Sequence, residues 1–65
     1  MKLYIWDDVL RDYTSGIMFA IADSPERARE LLKEECSYLP DYDLNKEPEE
    51  HDLNEEIAVY LYGGG

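Results

Sequence analysis

Ser24-Pro25-Glu26 and Pro40 bracket the one long helix this chain can form. Ser24 offers a hydroxyl to the free amides of a helix start. A proline at the first helical position gives up an N–H that would have no partner there, and Glu26 lies near the positive end of the helix dipole. Ala28, Leu31, Leu32 and Cys36 then recur at i, i+3, i+4 and i+8 as an apolar stripe, while Arg27, Glu30, Lys33 and Glu34 face water. The stripe predicts burial in the core, Cys36 included, because a buried free cysteine behaves as a small hydrophobe. Pro40 bars continuation, so the helix should end near Cys36 to Leu39.

Strand patterns lie on both sides of the helix. Leu3-Tyr4-Ile5-Trp6 is short, aromatic and β-branched, and Ile17-Met18-Phe19-Ala20-Ile21-Ala22 is an apolar run after Gly16. The link between them carries the turn formers Asp7-Asp8 and Thr14-Ser15-Gly16, yet Val9, Leu10 and Tyr13 are too apolar for a wholly solvated loop, so it should fold back on the core. Ile57 to Tyr62 alternates with period two and reads as a final strand. The expected architecture is α+β: a three-stranded antiparallel sheet (ββαβ), strand 1 central, one helix on one face and a long acidic loop. With Leu3, Ile5, Ile17, Phe19, Ile21, Ile57, Val59 and Leu61 under the helix, the aromatic set Tyr4, Trp6, Tyr60 and Tyr62, with Met18, would form the open face.

A 65-residue chain makes a single domain, 1–65, that buries only roughly 60% of its unfolded surface, too little to enclose a large cofactor pocket. No apolar run reaches the ~18 residues of a membrane span, and the start, Met1 to Asp8, breaks into charge before a signal-peptide core could form. A cytoplasmic protein is expected. Cys36, the single cysteine, has no partner for an internal disulfide and no neighbours for a zinc site.

The charge is unevenly placed. Residues 1–33 hold six acids and five bases, net −1, whereas residues 34–56 hold ten acids against Lys46 alone, net −9, and residues 57–65 have no charged side chain. From Asp41 to Glu55 no helical or strand period persists, so the acidic connection of about 40–56 reads as a solvated loop, long for so small a domain. Such acidity disfavours direct contact with nucleic acid or an anionic membrane and leaves basic partners.

Three uses fit the acidic block. It can be a solubilising surface. Closely spaced carboxylates can instead imitate the charge density of a phosphate backbone and occupy a Lys and Arg groove built for nucleic acid, with fast, salt-sensitive association. The residues expected to make that contact are Glu35, Asp41, Asp43, Glu47, Glu49, Glu50, Asp52, Glu55 and Glu56. The third use is a calcium loop, since Asp41-x-Asp43-x-Asn45 spaces oxygen ligands and Asp52 stands at the twelfth position. Lys46, however, replaces the glycine of the sharp turn.

His51, between Glu50 and Asp52, is expected to be a surface residue, not a ligand or base. No nucleophile motif supports a hydrolytic triad, so neither an enzyme nor a cofactor is predicted. The aromatics Tyr4, Trp6, Tyr13, Tyr38, Tyr42, Tyr60 and Tyr62 suit core or protein contact, including a homodimer. Base-stacking sheets are bordered by positive charge, and here the border is negative. The terminal Gly63-Gly64-Gly65 resembles the tail of ubiquitin-like modifiers, which would imply conjugation through Gly-Gly.

The opening Lys2-Leu3-Tyr4-Ile5-Trp6-Asp7-Asp8-Val9-Leu10, the Asp12-Tyr13-Thr14-Ser15-Gly16 turn, one helix, an acidic stretch and an aromatic-Gly-Gly-Gly end form a profile across the whole chain. In that profile it resembles small acidic phage-encoded accessory proteins of the anti-CRISPR and anti-defence type. The resemblance implies a non-enzymatic, stoichiometric inhibitor acting in the host cytoplasm on a nucleic-acid-handling host protein or complex. The phosphate-mimicking mechanism rests on the charge alone. A small partner-binding or self-associating module using the aromatic sheet face is the alternative.

Overall fold

The structure, a computed structural model, describes residues 1–12 and 14–60, at 11, 12, 14 and 15 the backbone only. Strands β1 (Lys2–Asp12) and β2 (Thr14–Ala22) form a long antiparallel hairpin, followed by helix α1 (Pro25–Glu35), a single helical turn α2 (Asp41–Leu44) and strand β3 (Glu49–Asp52). The sheet order is β2-β1-β3, antiparallel throughout, so β1 is central as expected.

Helix α1 starts as the sequence dictates. The Ser24 hydroxyl accepts from the Arg27 amide, Pro25 occupies the first turn, and the helix stops at Cys36, whose backbone turns extended. Cys36 itself is exposed, not core, because as the C-cap its extended backbone has left the helix that carries the apolar stripe.

The hairpin extends well beyond the expected strands. The segment expected to loop back is instead paired strand, bent by two register shifts between Asp7 and Asp12, and Asp8 and Leu10 both lie in the left-handed region at φ 54°. Such backbone is uncommon for residues with a Cβ and needs outside support. The bend turns Val9 into the core. Gly16 is paired with Val9, and a Cβ there would stand 3.0 Å from the Val9 carbonyl oxygen and 3.1 Å from the Leu10 Cβ.

Two expectations are corrected. The third strand is Glu49–Asp52, inside the acidic block, and Ile57 to Tyr60 forms no strand. The antiparallel edge of β1 is taken by register pairs from Lys2 with Asp52 to Ile5 with Glu49, so backbone pairing overrides the low strand propensity of acids. Leu61 and Tyr62 lie outside the described residues.

The faces of the sheet are also exchanged. Tyr4, Trp6, Met18 and Ala22 are buried beneath the helices with Ala28, Leu39 and Leu44, and Ala20, Leu31 and Leu32 pack against them. Leu3, Ile5, Ile17, Phe19 and Ile21 lie on the other face, with Phe19 61% exposed. Size decides the exchange. Ala20 and Ala22 let α1 approach β2 closely, and Trp6 fills the space beside them, whereas Ile17, Phe19 and Ile21 would hold a helix away. Trp6, 1% exposed, donates its indole N–H to the Lys46 carbonyl at 2.8 Å, so burial leaves no polar atom unpaired.

Candidate interaction surface

The segment after α1, expected as solvated loop, is fastened to the core by cations that reach main-chain carbonyls. Arg29 donates through Nε to the Leu44 carbonyl at 2.6 Å and through Nη2 to that of Lys46 at 3.3 Å, its guanidinium 5.7 Å from the Trp6 ring centroid. Lys33 Nζ donates to the Leu39 carbonyl, and Lys46 Nζ reaches the Asp8 carbonyl, each at 2.8 Å. These bonds satisfy carbonyls at the end of α2 and in the turns, where helical partners run out.

Asp43 belongs to the same fastening. It is 2% exposed, and its carboxylate accepts from the Leu10 amide at 3.1 Å. Thus the Asp8 carbonyl and the Leu10 amide, from the two left-handed residues of β1, are both met by side chains of residues 43–46. Asp43 was expected among the partner-contacting acids; it is corrected to a buried structural acceptor, because α2 turns it inward beside Leu44. The Asp41-x-Asp43-x-Asn45 spacing therefore lies on a helical turn. Among the described residues no cluster of three or more His, Cys, Asp or Glu side chains could hold a metal ion.

The other expected contact acids are exposed. Glu35 ends α1, Asp41 starts α2, and Glu47 precedes Pro48. Glu49, Glu50 and Asp52 lie on β3, followed by Glu55 and Glu56. Strand pairing divides β3 between the faces: Glu50 and Asp52 share the helix side with Tyr4 and Lys2, Glu49 and His51 the open side with Ile5 and Leu3. Lys2 Nζ is 3.4 Å from Glu50 Oε1, and this hydrogen bond and the nearby Asp52 charge hold the Lys2 ammonium pKa above its ordinary value.

His51 sits between carboxylates, Nε2 3.3 Å from Glu49 and Nδ1 3.3 Å from Glu55. Glu55 also closes the turn after β3: its carboxylate accepts from the Asp52 amide at 2.9 Å while its own amide donates to the Asp52 carbonyl at 3.2 Å. Glu49, Glu50, Asp52 and Glu55 are in this way held on an ordered backbone.

The expected aromatic contact face does not assemble. Tyr4 and Trp6 are core, Tyr60 is 86% exposed, and Tyr62 lies outside the described residues, as does the Gly63-Gly64-Gly65 tail. What the open face presents is a groove of about 370 Å³ lined by Leu3, Ile5, Ile17, Phe19, Ile57, Val59 and Tyr60. The alternation of β1 and β2 carries the signal for this face, but both sides of the hairpin are apolar, so alternation alone does not say which one meets the helix. Among the described residues no helix is long and apolar enough to cross a membrane. Compared with family models, curated proteins and solved structures, the chain matches none.

Proposed function

We propose that this chain is a non-enzymatic, stoichiometric inhibitor of the phage accessory type. Its β3 edge and the adjoining turns would engage a basic, nucleic-acid-binding surface of a host defence protein. One observation carries the proposal: Arg29, Lys33 and Lys46 direct their donors to main-chain carbonyls, and among the described residues Glu50, paired with Lys2, is the one β3 acid within ion-pair distance of a lysine or arginine, so the strand keeps a net negative charge. Acids occupy three of the four positions of β3, at a rise of about 3.3 Å per residue. One DNA strand presents a charge per about 3.4 Å of axis. Because successive β3 side chains alternate between the faces, Glu50 and Asp52 stand about 6.6 Å apart on one face, close to the spacing of every second phosphate of such a strand.

Capture from host lysate at low salt tests the proposal. Captured proteins should be nucleic-acid binders, should be displaced by added nucleic acid, and should be lost when Glu47, Glu49, Glu50 and Asp52 are changed together to Lys. Capture by the quadruple variant at undiminished yield would refute it. The open groove favours a second reading, a module that binds a partner by its apolar face; Phe19→Lys with Val59→Lys, both exposed in the groove, would then abolish capture and the acid changes would not.

A further inference from the structure

We infer that two copies of this chain pair through the outer edge of β2, antiparallel across a two-fold axis, into a six-stranded sheet. β2 is at the edge of the sheet, and among the described residues no other element donates or accepts a backbone hydrogen bond along its outer side. An edge of unpaired amides and carbonyls is a template for another strand, and soluble proteins normally block it with charge, proline, a bulge or brevity. The β3 edge follows that rule, being four residues long with three acids and a histidine: Glu49, Glu50, His51 and Asp52. The β2 edge does not. Its nine residues, Thr14–Ala22, include no charged side chain and no proline, in a chain of which 34% is charged.

The placement of charge also selects the occupant. A chain of net charge −10 repels its own copy wherever acids meet, so pairing through β3 would set Glu49, Glu50 and Asp52 against themselves. Pairing through β2 gives the order β3-β1-β2-β2-β1-β3. The two acidic edges are then five strand spacings apart, about 24 Å at about 4.8 Å per spacing. That is about three Debye lengths at physiological salt, where the length is about 8 Å, so repulsion between them is largely screened. Overlap of Gly16–Ala22 with its copy centres the axis on Phe19, which meets itself, with Ile17 opposite Ile21 on the same open face. Ile21 and Phe19, both exposed in the single chain, gain apolar neighbours there. The interface is isologous and closes at two copies, which is why the uncharged edge need not propagate into fibres.

Sedimentation and light scattering of the whole chain from about 1 to about 100 μM test this, the range over which a micromolar dimer assembles. The expected mass rises to twice the 7.6 kDa of one chain. Phe19→Lys should stay monomeric with an unchanged far-UV spectrum, Phe19→Glu likewise, and an equimolar mixture of the two should regain the dimer mass. Should Phe19→Lys lose its fold, Ile21→Lys at the same edge serves in its place. Hydrogen exchange locates the contact: alternate amides of Gly16–Ala22 should gain protection as concentration rises. A single-chain mass at the highest concentration, a dimer that both lysine variants retain, or a dimer with those amides still unprotected would each overturn the inference.

Discussion

The outer strand β2 runs for nine residues without a charged side chain, whereas β3, across the same central strand, is four residues long and consists of three acids and a histidine. β2 carries its own apolar side chains into the core, through Met18 and Ala22, under a helix that continues directly from it. β3 contributes no side chain to the core, and its position depends on backbone pairing with Lys2 to Ile5 and on the fastening of residues 39–46 by Arg29, Lys33, Trp6 and Asp43. Strand identity can therefore come from side-chain burial on one border of a sheet and from the needs of a neighbour's backbone on the other.

The contrast is broken most severely at Trp6. Trp6→Ala removes the largest core side chain and the donor to Lys46, and should cost about 3–5 kcal/mol in denaturant unfolding, with amides of β3 losing exchange protection before those of β2. Asp43→Ala leaves the amide of the left-handed residue Leu10 without its acceptor; a loss of about 1–3 kcal/mol is expected, read from the unfolding midpoint. Gly16→Ala works on the β2 side, where the new Cβ meets Val9 and Leu10, and should cost about 1 kcal/mol in the same measurement.

The smallest effect belongs to Lys2. Its pKa is raised in the fold by Glu50, so its contribution is complete below the unfolded value and is lost as pH rises through the folded one. The loss thus falls in the alkaline window above pH of about 10. Lys2 is exposed, so Lys2→Met should leave the midpoint at neutral pH nearly unchanged and abolish only that alkaline component, as followed by unfolding at stepped pH.

Features governed by local chemistry were legible in the sequence. Ser24-Pro25 positions the start of α1, Pro40 lies beyond its end, and the two apolar runs form a hairpin around a central first strand. Features governed by choices between equivalent local patterns were not. β1 and β2 are apolar on both faces, so alternation alone leaves open which side meets α1, and the decision rests on the small volume of Ala20 and Ala22. Ile57 to Tyr62 has better strand chemistry than Glu49 to Asp52, yet the acidic segment pairs, because residues 43–46 are anchored next to β1 and deliver it to the free edge. For the candidate surface, composition identified the acidic segment; it could not reveal that Asp43 faces inward, since that depends on a helical turn four residues long.

In the proposed role the β3 border is the contact surface and its charge is what binds. The most direct measurement is the salt dependence of affinity for a captured host protein, comparing the unaltered chain, the Glu47/Glu49/Glu50/Asp52→Lys variant and Phe19→Lys. Affinity should fall steeply with salt for the unaltered chain and for Phe19→Lys, and should drop roughly 100-fold or more at low salt for the quadruple variant. A quadruple variant that binds as tightly as the unaltered chain at both low and high salt would contradict it.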